Sequence, residues 1–176
     1  MSLRRGDVLI VVLPTGAGKS VLFQLPAVRG VHGGVSIVVV PFVALLDNLV
    51  DGARKAGLDV LPWQPKAVTG RREGERVASL VFVGAEHTQL AEFLSYAEGL
   101  RARGVLKRIF VDECHTILTD GGYRPTLLEL KSLYRFGVPM VMLTATLPVR
   151  MELWFRRLML AEDADILTYG TRRAIV

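Results

Sequence analysis

The sequence contains a single cysteine, Cys114. One thiol cannot build an internal disulfide framework, so a packed core must hold the chain, and a reducing compartment suits it. No apolar run approaches the roughly 18 residues that span a bilayer, so no membrane partner is expected. Arg4-Arg5 followed by Val8 to Leu13 imitates a secretion signal, but Asp7 interrupts it and the run leads straight into a glycine-rich loop. It reads as a buried strand. Internal repeats and low-complexity segments are also missing, which excludes solenoids and tails. Acidic residues are in the minority, 17 against 22 basic, giving a net charge of +5. That excess suits a polyanionic partner such as nucleic acid, or simply a basic globular protein.

What is present is globular. Hydrophobic residues make up 51% and charged residues 22% of 176 residues, enough for one domain that buries about 70% of its unfolded surface. Apolar runs alternate with helical spacing. Strands are expected at Asp7–Val12, Val35–Val40, Leu80–Val83, Arg108–Val111 and Pro139–Leu143, with Val60–Trp63 a short edge strand because Pro62 cannot donate to a ladder. Helices are expected after Ser20, over Phe42–Ala56 with Gly57 as its stop, Glu86–Arg103, Pro125–Phe136 and Pro148 to about Leu160. The stretch from Ala67 to Val77 reads as a polar connection. Alternating βα units imply a parallel α/β sheet with right-handed crossovers and helices on both faces.

The chain is organised around Leu13-Pro14-Thr15-Gly16-Ala17-Gly18-Lys19-Ser20. A strand, a glycine-rich loop, Lys-Ser and a helix form the arrangement that cradles phosphates. Backbone N–H groups of Thr15, Gly16, Ala17 and Gly18 would face the anion, and the helix N-terminus adds partial positive charge. Lys19 would reach the β and γ phosphates, and the Ser20 hydroxyl would sit on Mg²⁺. In parallel sheets ligands bind at the carboxyl ends of strands. The other distinctive residues fall at such ends: Pro41-Phe42, Gly84-Ala85-Glu86, Asp112-Glu113-Cys114-His115 and Thr144-Ala145-Thr146. Asp112 suits a Mg²⁺ shell held through water, and Glu113 suits a general base for an attacking water. Cys114 and His115 lack partners at zinc spacing. Cys114 reads as a small packed residue, and His115 as a hydrogen-bonding link.

These residues resemble the first motor lobe of superfamily-2 helicases. The Asp-Glu-Cys-His box, Thr144-Ala145-Thr146-Leu147 and Val21-Leu22-Phe23-Gln24-Leu25-Pro26-Ala27 resemble the RecQ-like DNA helicases in particular. The resemblance implies a RecA-like domain that binds Mg·ATP and couples its hydrolysis to 3′-to-5′ movement on single-stranded or partly duplex DNA. It assigns nucleotide and Mg²⁺ contacts to Gly16, Gly18, Lys19, Ser20 and Asp112, catalysis to Glu113, and coupling to His115, Thr144 and Thr146. Pro41, Phe42, Gly84 and Glu86 would lie along the DNA, with Tyr123 and Arg124 from the loop after the acidic box. That loop, 116–124, lacks the tryptophan usual in the family. By the same resemblance 1–168 is the lobe, short of the family's glutamine-containing adenine motif, and 169–176 begins a linker to a second lobe. The compartment would be nuclear in a eukaryote and otherwise cytoplasmic. A non-catalytic nucleotide- or nucleic-acid-binding remnant of such a helicase is the alternative, and a second lobe continuing past Val176 would separate the two. A small-molecule kinase has no place for the acidic box and Thr-Ala-Thr.

Overall fold

The computed structural model describes residues 8–41, 43–65, 76–116 and 129–168. Seven strands form one sheet: β1 (Val8–Val12), β2 (Val35–Val40), β3 (Val60–Pro62), β4 (Leu80–Gly84), β5 (Leu106–Val111), β6 (Met140–Thr144) and β7 (Asp165–Thr168). Their order is β3-β4-β2-β5-β6-β1-β7, and every pairing is parallel. Among the described residues four α-helices connect them: α1 (Lys19–Ala27), α2 (Val43–Lys55), α3 (Ala91–Ala102) and α4 (Val149–Leu158).

Alternation along the strands makes two cores. Ile10, Ile37, Val39, Val83, Ile109 and Met142 face one side, where Phe93 and Leu100 of α3 and Phe155 of α4 join them. Val11, Val38, Val40, Phe82, Phe110 and Leu143 face the other, where Phe23 of α1 and Leu46 and Val50 of α2 cover them. Phe23 meets Phe82 and Phe110 edge-on, with ring centroids 5.7 and 6.0 Å apart. Strands buried on both faces read as near-continuous Val/Ile runs for this reason. On the α1 side an apolar groove of about 460 Å³ runs beside β7, lined by Leu9, Val11, Leu22, Phe110 and Leu167 among others.

Three expectations need correction. The single helix over 86–103 is divided. A 3₁₀ turn covers Ala85–His87, Thr88 Oγ1 donates to the Ala85 carbonyl at 2.7 Å, and α3 starts only after Leu90, whose backbone is extended. The described part of the helix over 125–136, Glu129–Phe136, is 3₁₀ rather than α. Its buried residues Leu130, Leu133 and Phe136 recur every three residues, the repeat of that helix. Finally, β7 was not expected: its four residues are too few to show a period. The edge position of β3 holds, with Trp63 N–H extending the pairing to the Phe82 carbonyl at 2.7 Å. Phe42, Tyr123, Arg124, Leu127, Leu128, the expected linker over 169–176 and nearly all of the expected polar connection over 67–77 lie outside the described residues.

Candidate active site

β1 ends at Val12, and the chain turns through Leu13–Gly18 into α1. Ala17 N–H donates to the Pro14 carbonyl at 3.0 Å, and Val21 N–H to the Gly18 carbonyl at 2.9 Å. Gly16 and Gly18 hold φ of 81° and 84°, where a side chain is strained. A Cβ on Gly16 would meet no heavy atom within 4 Å beyond its chain neighbours, so the loop borders open space. Gly18 caps α1 without a side-chain hydrogen bond, and the first turn holds no acid. The helix N-terminus thus presents its partial positive charge without a side-chain anion of its own. Thr15, Gly16 and Ala17 are exposed, while Gly18, Lys19 and Ser20 are partly buried.

The acidic box follows β5 and is clamped on both sides. Asp112 N–H donates to the Val39 carbonyl of β2, and Cys114 N–H to the Leu143 carbonyl of β6, both at 2.9 Å. Between them Glu113 takes φ 45°, a left-handed backbone uncommon for any residue but glycine. Its N–H donates to Asp112 Oδ1 at 2.9 Å. Its carboxylate lies between two cations or potential cations: Lys19 Nζ is 2.5 Å from Oε1, and His115 Nδ1 is 3.2 Å from Oε2. Asp112 is only 9% exposed. Burial pushes its carboxyl above the usual range and the neighbouring Glu113 charge adds to this, while the Glu113 N–H, Lys19 and His115 oppose it. Burial also pushes the Cys114 thiol far up, so it is packing and not a nucleophile.

The end of β6 joins this cluster through the backbone. Leu13 N–H donates to the Thr144 carbonyl at 2.9 Å. The buried Thr144 hydroxyl donates to the Thr146 carbonyl at 2.8 Å and accepts from Thr146 N–H at 3.3 Å. Thr144 therefore ties the phosphate-type loop to the turn after β6. The link from Leu13 to Thr144 could not be read from the sequence, because it joins segments some 130 residues apart that β1 and β6 bring into register. Pro41 follows the end of β2, Gly84 ends β4, and Glu86 is exposed in the 3₁₀ turn after β4. The Glu86 carboxylate folds over Gly84: a Cβ there would stand 2.8 Å from its Oε1. Pro41, Gly84 and Glu86 share the carboxyl edge of the sheet with the acidic box.

The donor set suits a phosphate chain with a hard divalent ion. Among the described residues no group of three His, Cys, Asp or Glu side chains is placed to hold a metal ion by itself. An ion here would draw on Ser20, the buried Asp112, phosphate oxygens and water, the donors that Mg²⁺ prefers. Lys19 and the bare end of α1 would supply positive charge to such phosphates. Together the fold and this cluster define a RecA-like P-loop domain.

Comparison with known proteins agrees. Residues 1–153 match the DEAD/DEAH box helicase family, and the chain belongs to that family. The chain is similar to the ATP-dependent helicase SGS1 of Saccharomyces cerevisiae, 32% identical over 85% of this chain and 11% of that protein. It is 34% identical to the ATP-dependent DNA helicase Q5 of Rattus norvegicus over 83% of this chain and 16% of that one. It is 35% identical to the ATP-dependent DNA helicase RecQ of Synechocystis sp. over 82% of this chain and 32% of that one. The chain thus spans a tenth to a third of these relatives. In structure it resembles the DUF1998 helicase MrfA bound to DNA, with a TM-score of 0.63 at 17% identity, covering 93% of this chain and 25% of that one. No helix among the described residues is long and apolar enough to cross a membrane.

Proposed function

We propose that the chain is the ATP-binding motor lobe of a RecQ-like DNA helicase, with Mg·ATP as its cofactor and single-stranded or partly duplex DNA as its partner. The observation that carries this reading is the convergence of Lys19, Glu113 and the buried Asp112 at the carboxyl ends of β1 and β5. Kinship with RecQ-type enzymes supports DNA as the track and a nuclear or cytoplasmic setting.

Bound Mg·ATP supplies the phosphoanhydride to be cleaved and the divalent charge that offsets its oxygens. The geometry supports a part for each residue. The loop N–H groups and Lys19 hold the phosphates. Asp112 and Ser20 would hold the shell of the ion. Glu113, placed by its left-handed backbone, accepts the proton of the attacking water at its carboxylate. Lys19 and His115 beside that carboxylate hold it in place. Thr144, bonded through its carbonyl to Leu13, carries movement at the phosphates into the Thr144–Thr146 turn. Pro41, Gly84 and Glu86, with Phe42, Tyr123 and Arg124, complete the proposed DNA-facing edge.

Glu113→Gln tests the chemistry. The change keeps the shape and loses the base. In a chain joined to a RecQ-type second lobe, Mg·ATP affinity is expected to hold while turnover falls about a hundredfold or more. Normal hydrolysis by the variant would remove Glu113 from the base role.

A further inference from the structure

Two side-chain hydrogen bonds converge on the 3₁₀ segment Glu129–Phe136, and the nucleotide site uses neither. Gln89 Nε2 donates to Ser132 Oγ at 2.8 Å. The Tyr134 hydroxyl donates to the Met159 carbonyl, also at 2.8 Å. Burial pushes the Tyr134 phenol above its ordinary range, so it remains a donor.

A 3₁₀ helix has three residues per turn, so its side chains fall on three faces about 120° apart. Leu130, Leu133 and Phe136 take the first face and are buried in the core that Phe155 and Met159 also join. Ser132 lies on the second face and Tyr134 on the third. Each face thus has its own partner: the core, the chain after β4 and the end of α4. Runs of this helix beyond three or four residues are uncommon, because its hydrogen bonds are poorer than those of an α-helix. Here it runs for eight, in a stretch whose leucine spacing also suits an α-helix. Ties from outside the segment account for the form it takes.

Both ties lead to the proposed machinery. Gln89 lies just beyond the 3₁₀ turn Ala85–His87, which holds Glu86 on the carboxyl edge of the sheet, and the Thr88 hydroxyl pins that turn through the Ala85 carbonyl. Met159 caps α4, which runs ten residues back to Pro148, about 15 Å. Met151 N–H donates to the Pro148 carbonyl at 2.8 Å, and two residues before Pro148 stands the turn that Thr144 ties to Leu13.

We propose, resting on the motor-lobe reading above, that Glu129–Phe136 is a coupling strut between the DNA-facing turn after β4 and the phosphate loop, with Gln89, Ser132 and Tyr134 as its positioning residues. A strand held at the β4 turn shifts Gln89 against Ser132. The strut passes the shift to Met159, and α4 passes it to the Thr144–Thr146 turn and Leu13. Two arrangements are open to the segment, the 3₁₀ form and the α form, so its two ends bias one equilibrium, as coupling between separated sites requires.

Mg·ATP is titrated into the 176-residue chain with and without excess oligo-dT at low ionic strength, where phosphate contacts are strongest. The ratio of the two affinities is the coupling, and it is the same read from either ligand. About fivefold is expected in the parent. Ser132→Ala and Tyr134→Phe each delete one hydroxyl and should bring the ratio to about one while the affinity of either ligand alone holds. Gln89→Met should match Ser132→Ala, and the two together should add nothing to either. A merely structural bond would lower the melting temperature and leave the ratio at its parent value. A parent that fails to bind Mg·ATP or oligo-dT would remove the motor-lobe reading and the strut with it. Binding of both ligands without coupling, or the parent ratio kept in Ser132→Ala and Tyr134→Phe, would overturn the strut alone.

Discussion

Asp112 combines burial with a charge that the fold alone does not need. Its carboxyl is raised by desolvation first and by Glu113 second. A raised carboxyl binds its proton more tightly in the folded chain than in the unfolded one. Its contribution to stability is therefore full below the ordinary carboxylate value of about 3.9 and is lost as pH rises through the elevated value. Asp112→Asn removes this penalty. Without nucleotide its melting temperature is expected to exceed that of the parent at pH 7, with the gap closing towards pH 4, as thermal melts would show. A variant less stable than the parent at pH 7 would mean that the carboxylate is compensated within the fold. The placement of Lys19, Asp112 and Glu113 at strand ends was legible because a glycine-rich loop and an acidic pair, each after an apolar run, are local patterns. That Glu113 would be left-handed and flanked by Lys19 and His115 was not legible: those features arise when β1 and β5 are brought side by side through β6.

At the scale of the element, each strand end that holds a site residue is fixed by packing behind it. α4 illustrates the arrangement: Phe155 is fully buried against the face that holds Ile10 and Met142, the strands that lead to the phosphate-type loop and to Thr144. Phe155→Ala leaves a cavity the sheet cannot close and is expected to cost about 3–5 kcal/mol, read as a fall in the denaturation midpoint. A loss under about 1 kcal/mol would show that α4 is not needed to hold the sheet. β1, β2 and the helix α2 were legible because their apolar patterns run long enough to declare a period. The 3₁₀ segment Glu129–Phe136 was not, since spacings of three and four overlap in a short stretch. Nor was the break at Thr88–Leu90, where a side-chain hydroxyl and the packing of Trp63 against His87 and Phe93 compete with the helix.

For the whole molecule, the proposal of a motor lobe carries a limit. Phosphoryl transfer gains a factor of about 10³–10⁵ from an arginine finger, and in the resembled helicases that arginine comes from a second lobe across the nucleotide. Translocation also needs two lobes that close and open on each cycle. The 176-residue chain alone is therefore expected to show barely detectable ATPase and no strand separation, with weak DNA binding that fades as salt competes for the phosphates. Robust DNA-stimulated ATPase from the monomeric chain would mean that a finger lies within these residues. The parallel sheet and its two helical layers were legible from the alternation of apolar runs, but the strand order was not, because nothing local dictates which parallel neighbours pair. The account stands on the loop at Gly16–Ser20 being a phosphate site, and isothermal titration of Mg·ATP into parent and Lys19→Ala chains tests it most directly. Lys19 is the one side-chain cation in that loop, so the variant is expected to bind about tenfold or more weakly, a loss of about 1.4 kcal/mol or more. Equal affinity in the two chains would contradict it.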